Sequence, residues 1–92
     1  FRAIKENDIN KLNHLLLHEK VEINWRNNSE YGQSLLIASC DCYKEKFELV
    51  EYFLLHEEIN VNVRDVFGKS ALSWASENGF NNIVSALLTD PR

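Results

Sequence analysis

The sequence predicts an all-α solenoid of stacked antiparallel helix pairs joined by hairpin-like loops. Three observations predict this fold. Residues 15–24 align without a gap on residues 53–62, an offset of 38, and five of the ten pairs are identical. Apolar residues recur at three- and four-residue spacing, and isolated glycine and asparagine residues separate the helical segments. A fixed period of a few tens of residues indicates repeated units that bury their core only by stacking on neighbours.

The repeat divides the 92 residues into a single domain with three units, approximately 1–21, 22–59 and 60–92, of which the first is partial. In the first unit, the turn Asn7–Asp8 separates the end of an inner helix from an outer helix. Side chains three and four positions apart share one helical face. The predicted buried face of this outer helix consists of Ile9, Leu12, Leu15 and Leu16.

The second unit opens with a hairpin-like loop over residues 23–32. Gly32 is suited to a positive φ at the end of the loop, and Ser34 to capping an inner helix that begins near Leu35. Both the loop and the turn between the helices are two residues longer than in the third unit, so we expect residues 43–46 to protrude. The outer helix resumes at Phe47, and its predicted buried face consists of Leu49, Val50, Phe53 and Leu54.

The third unit repeats this plan, with a loop ending at Gly68, a cap at Ser70 and a turn at Asn78–Gly79. Small residues on the inner helices let neighbouring units approach closely. The predicted inner-helix core face is Leu72, Ala75 and Ser76, and the outer face is Ile83, Val84, Leu87 and Leu88, with Pro91 as a stop.

Residues 62–79 and their helical continuation 83–88 closely resemble the ankyrin repeat. The family's Thr-Pro-Leu-His signature reads Ser-Ala-Leu-Ser at residues 70–73 and Ser-Leu-Leu-Ile at residues 34–37, so both units lack its proline and histidine. The resemblance implies antiparallel pairs of inner and outer helices joined by hairpin-like loops, and the internal repeat is consistent with this arrangement. It also implies a recognition scaffold that binds other proteins and is not an enzyme.

Composition excludes several other classes. A hydrophobic fraction of 45% with 26% charged residues is typical of a globular protein. The net charge is −4 and the basic residues are scattered, which argues against nucleic acid as a partner, and the sequence has no basic amphipathic helix of the kind that binds a membrane surface. Two cysteines on different faces of a helix, Cys40 and Cys42, are interpreted as reduced thiols in a cytoplasmic or nuclear protein. We expect the 92-residue fragment to be monomeric.

Candidate catalytic and ligand-binding groups are few. His14, His18 and His56 are the three histidines, and the last two occupy equivalent positions of the repeat, which favours a structural role. Cys40 and Cys42 are too few for a closed zinc site, and the three glycines lie in separate turns rather than in a phosphate-binding loop. The sequence therefore predicts no catalytic residue, no metal and no cofactor.

By resemblance, partner proteins bind the loop tips and the concave face of the inner helices. Trp74 has an alternative reading, in which it packs on the neighbouring inner helix, whereas Tyr31 and Phe67 directly precede a loop glycine and should be exposed. The positions that match are Glu30, Tyr31, Gln33, Ala38, Asp41, Val66, Phe67, Lys69, Trp74, Glu77 and Asn78.

The resemblance also marks Asn24 and Asn62 as possible sites of asparaginyl hydroxylation, since each follows an apolar residue and has a leucine eight positions earlier. In the alternative reading, these side chains simply bond backbone groups of their turn.

For the whole chain we favour a protein–protein interaction module. The alternative is a structural or regulatory segment that acts in cis within a larger enzyme or channel.

Overall fold

The computed structural model describes residues 2–6, 8–18, 22–28 and 31–91 and arranges them as helix pairs stacked side by side. The inner helices α1, α3 and α5 contact one another in that order, and the outer helix α6 packs on the outer helix α4. The predicted fold is confirmed. The elements are α1 Arg2–Lys5, α2 Ile9–His18, β1 Arg26–Asn27, β2 Gln33–Ser34, α3 Leu35–Cys40, α4 Phe47–Leu54, α5 Ala71–Glu77 and α6 Asn81–Thr89.

Serine side chains start the second and third inner helices, as predicted. Ser34 Oγ accepts a hydrogen bond from the backbone N–H of Ile37 at 3.2 Å, and Ser70 Oγ accepts one from Ser73 at 3.3 Å. Each bond satisfies a backbone donor that has no partner within the helix, and each is worth about 1 kcal/mol. The serines thus supply the cap although the proline and histidine of the family signature are missing.

The loop of the second unit is a short antiparallel hairpin in which Arg26 pairs with Ser34. Gly32 has a φ of 70°, and a Cβ there would lie 3.0 Å from Nη2 of Arg26. This guanidinium donates from Nε to the Gly32 carbonyl at 3.0 Å and from Nη2 to the Arg64 carbonyl at 2.7 Å. Arg26 therefore ties its own hairpin to the loop of the third unit.

The core lies between the helix layers. Ser39, Ala71 and Ala75 are fully buried where α3 packs on α5, and their small side chains permit that close approach. The prediction that Ser76 belongs to the core face is wrong, since this residue is exposed. Its counterpart Cys40 is covered by the third unit, and within the described part of the chain no further layer covers Ser76.

The predicted outer-helix faces are confirmed in their main positions. Leu12, Leu49, Val50, Phe53, Ile83 and Leu87 are buried, while the other members of the three stripes are partly buried except for Leu88, which is 67% exposed. Among the described helices, none is both long and apolar enough to cross a membrane. The predicted turn residue Asn7 lies outside the described residues.

Candidate partner-binding surface

The tips of the second and third loops meet in an exposed aromatic pair. Tyr31 and Phe67 are each 58% exposed, as predicted, and their ring centroids lie 5.3 Å apart at an interplanar angle of 41°. Val66, which is 66% exposed, lies beside them. These three residues, Tyr31, Val66 and Phe67, are called the loop-tip patch below.

Backbone contacts hold the loop-tip patch in place. The N–H of Val66 donates to the Tyr31 carbonyl at 2.9 Å, so the two loops are joined directly. Tyr31 itself has a φ of 59°, a left-handed conformation that costs a non-glycine residue on the order of 1 kcal/mol. The hydrogen bond from Gly32 to the Asn27 carbonyl, at 3.0 Å, fixes this turn. The aromatic pair is therefore presented on an ordered backbone.

Asp65, whose role was not predicted from the sequence, organises the third loop. Its side chain is 5% exposed. One carboxylate oxygen accepts from the N–H groups of Phe67 at 2.9 Å and Lys69 at 3.0 Å, and the other accepts from Trp74 Nε1 at 2.7 Å. The sequence contained a signal for this role. Asp65 lies three residues before Gly68, and aspartate side chains in turns commonly accept hydrogen bonds from backbone N–H groups two residues later.

The Trp74 side chain is half-buried, so it is neither fully exposed nor fully packed in the core. Its ring packs partly against the core while its indole N–H is held by Asp65. The Lys69 ammonium lies 4.3 Å from the ring centroid, within cation–π range. The tryptophan thus braces the base of the loop that carries Phe67.

In both complete units, equivalent side chains at the two ends of the inner helix contact each other. In the second unit, Gln33 Nε2 donates to Asp41 Oδ2 at 2.7 Å, and in the third, Lys69 Nζ lies 2.6 Å from Glu77 Oε2. Each link spans the inner helix from its loop to its end. The expectation that Gln33 lies on the surface is wrong, because it is 6% exposed and supports Asp41 from within. Ala38, at 8%, is also buried.

The remaining predicted binding residues lie at the far ends of the inner helices or beyond the described structure. Asp41, Glu77 and Asn78 are exposed. The amide of Asn78 donates to the Cys40 carbonyl at 2.9 Å, which closes the end of α3 from the neighbouring unit. Glu30 lies outside the described residues. The structure therefore groups the third-loop residues with Tyr31 and separates them from Asp41.

The two asparagines named as possible modification sites differ in their contacts. Asn24 donates from Nδ2 to the Glu58 carbonyl and accepts at Oδ1 from the N–H of Asn60, both at 2.7 Å. The alternative reading, backbone bonding, thus holds for Asn24, with partners in the following connection rather than in its own turn. Asn62 is exposed. Hydroxylation at either position stays a prediction.

The two thiols are free and poorly suited to nucleophilic chemistry at neutral pH. Burial, with smaller contributions from Cys42 and Asp41, raises the pKa of Cys40 to about 12. Burial also raises the pKa of Cys42, whose single S–H has two acceptors within reach, the carbonyls of Ser39 at 3.2 Å and Lys44 at 3.0 Å. Thiolates, not thiols, are the reactive form. In the described part of the chain, histidine, cysteine and acidic side chains form no group of three that could hold a metal ion.

Comparison with protein families identifies the class. Residues 1–92 match ankyrin repeats (3 copies). The chain belongs to the ankyrin repeat family, as the sequence resemblance predicted. Ankyrin repeats generally mediate protein–protein interactions and are typically binding modules without enzymatic activity.

A solved structure has the same fold. The chain is similar to a chain in the structure of the Bd0816 predatory endopeptidase from Bdellovibrio bacteriovorus in complex with the immunity protein Bd3460, with a TM-score of 0.80 and 21% identity. The match covers 98% of this chain and 44% of that chain, so the present chain spans less than half of its length. No curated protein matches the sequence significantly.

Proposed function

We propose that the chain binds a partner protein through the loop-tip patch and the adjoining concave face of the inner helices. The observation that carries the proposal is the exposed ring pair of Tyr31 and Phe67. Aromatic side chains contribute disproportionately to binding energy when a partner buries them. An exposed apolar cluster on an ordered backbone is typical of an interaction site rather than of ordinary surface.

Pre-organisation supports the same proposal. Asp65 fixes the backbone on both sides of Gly68, and the bond between Val66 and Tyr31 sets the distance between the two tips. A surface that is ordered before binding loses less conformational entropy on association. The free thiols of Cys40 and Cys42 support the further proposal that binding takes place in a reducing compartment, the cytoplasm or nucleus.

The experiment compares the double variant Tyr31→Ala/Phe67→Ala with Leu55→Ala. Leu55 is a matched control because its side chain is 78% exposed and lies just after α4, away from both loop tips. Proteins from the source cell are captured on each immobilised variant, and the affinity of any protein retained by the wild type is then measured by calorimetry. Loss of two hot-spot rings should weaken binding by about 2 kcal/mol or more, roughly 30-fold.

Leu55→Ala should bind as the wild type does. Equal affinity of the double variant and the wild type would contradict the proposal and would assign the interaction to another face. Circular dichroism checks that both variants retain their helices, so a loss of binding can be attributed to the patch.

A further inference from the structure

The turn between α3 and α4, residues 41–46, borders a cavity that the loop-tip patch does not use. Its volume is about 490 Å³. The loop-tip patch precedes the start of α3 and α5, whereas this cavity lies at the opposite end of α3. The lining side chains are Lys5, Asp41, Cys42, Tyr43, Lys44 and Lys46.

The charge of the cavity is opposite to that of the chain. Three of the six lining residues are cationic and one is anionic, a balance of +2, whereas the whole chain carries −4. The one lining carboxylate, Asp41, already accepts a hydrogen bond from Gln33 at 2.7 Å. The cavity is therefore a local positive site on an acidic protein.

The remaining carboxylate of the turn is engaged elsewhere. Glu45, between Lys44 and Lys46, accepts at Oε1 from the backbone N–H of Ile83 at 3.0 Å. This contact caps the first turn of α6, where Phe80 makes no side-chain cap. Because Glu45 is held on the next unit, it is directed to α6 while its two lysine neighbours line the cavity.

Two units build the wall, and one ammonium group is fixed within it. Lys46 Nζ donates to the Ile4 carbonyl at 2.8 Å, near the end of α1, so the first unit supports the turn of the second. Lys5 is the last residue of α1. Tyr43 is fully exposed at the tip of the turn and offers an aromatic face beside the lysines. The predicted protruding turn is thus the outer wall of the cavity.

Two adjoining cavities make up the site. A second cavity of about 130 Å³ shares Lys5, Asp41, Cys42 and Lys46 with the first and extends to the inner helix α3. Its additional lining residues are Ile4, Gln33 and Ala38. Together the two cavities are called the lysine groove below, and the larger one alone has a volume of about 490 Å³, which exceeds that of a single small anion.

We propose that the lysine groove binds an acidic segment of a partner protein. Carboxylates of the segment contact Lys5, Lys44 and Lys46, and an apolar or aromatic side chain of the segment contacts Tyr43. Charge complementarity of this kind steers association and selects the partner, and it weakens as salt screens the charges. This site is separate from the loop-tip patch, so either can fail without the other.

The test measures binding of a fluorescein-labelled, glutamate-rich peptide with one central tyrosine by fluorescence anisotropy at low and high salt. The variant Lys44→Glu is compared with Lys11→Glu, which makes the same change of charge at an exposed position on α2. Lys44→Glu should weaken binding about tenfold or more, and Lys11→Glu by about twofold or less. The wild type should bind the peptide less tightly as salt rises and should not bind its glutamine-substituted counterpart.

Three results would overturn the proposal. One is the absence of peptide binding at low salt, and another is an equal effect of Lys44→Glu and Lys11→Glu, which would indicate an unspecific response to net charge. The third is displacement of the peptide by inorganic phosphate where chloride of matched ionic strength has no effect, which would indicate a small-anion site. The double variant Tyr31→Ala/Phe67→Ala is tested with the same peptide in parallel. It should bind the peptide as the wild type does, so a failure of the lysine groove can be distinguished from a failure of the loop-tip patch.

Discussion

The second and third helix pairs follow one sequence plan but are covered to different extents. In the second pair, Leu36 and Val50 are 1% and 0% exposed. Their counterparts in the third pair, Leu72 and Val84, are only half-buried. The side chains are the same in both pairs, so the difference comes from the neighbouring unit that packs on the second pair.

Burial in a stacked-repeat protein is decided at the interfaces between units. The second pair has neighbours in both the first and the third unit, since α3 contacts α1 and α5 and α4 contacts α6. The third pair buries Ala71, Ala75 and Ile83 on the side of its neighbour, whereas Leu88, on its outer helix, is 67% exposed. Since repeat stability is approximately a sum of unit and interface terms, identical substitutions should cost more in the second pair.

The largest effect is expected from truncating the equivalent leucines. Leu36→Ala removes a fully buried side chain and should lower the free energy of unfolding by about 3 kcal/mol. Leu72→Ala removes one that is partly solvated and should cost about 1 kcal/mol. Urea denaturation of both variants measures the difference. Both changes are leucine to alanine within a helix, so differences of helix propensity cancel. Equal losses of unfolding free energy in the two variants would contradict the role of the neighbouring unit.

A second contrast concerns Cys40 and its exposed counterpart Ser76. Burial raises the pKa of the Cys40 thiol from 9.0 to about 12, so above pH 9 the unfolded chain loses this proton while the folded chain keeps it. The contribution to stability is complete below pH 9.0 and falls as the pH rises toward about 12. The loss should approach about 1.4 kcal/mol per pH unit, measured by urea denaturation at increasing pH.

The control moves the thiol from a buried position in the second unit to the equivalent exposed position in the third. In Cys40→Ala/Ser76→Cys the thiol lies at an exposed position and should ionise almost equally in the folded and unfolded states, so the additional slope should disappear. A slope equal to that of the wild type would attribute the alkaline loss to other groups, such as Tyr52, whose pKa is also raised by burial.

Local signals were sufficient to predict most of the fold. The caps Ser34 and Ser70, the outer-helix faces and the exposed rings of Tyr31 and Phe67 all follow from residue type at short range: a hydroxyl before a helix, apolar spacing, and an aromatic residue before a loop glycine. These features depend on the chain within a few residues. Their physical causes are therefore present in the sequence itself.

The contacts that position the surface could not be predicted in this way. Asp65 reaches Trp74 nine residues on, and Gln33 reaches Asp41 across a whole helix. Such contacts depend on how the loop folds back over the inner helix, which spacing does not reveal. The error at Ser76 has a related cause, because periodicity identifies a face suited to burial but not whether a neighbour covers it.

The smallest expected effect is the difference in unfolding free energy between alanine variants of the equivalent asparagines Asn24 and Asn62. The Asn24 side chain bonds two backbone groups of the following connection, whereas the Asn62 side chain makes no hydrogen bond within the described structure. Asn24→Ala should therefore cost about 1 kcal/mol of unfolding free energy, and Asn62→Ala close to nothing. Urea denaturation at neutral pH compares the two, and equal costs would show that asparagine stabilises its own turn rather than the junction between units.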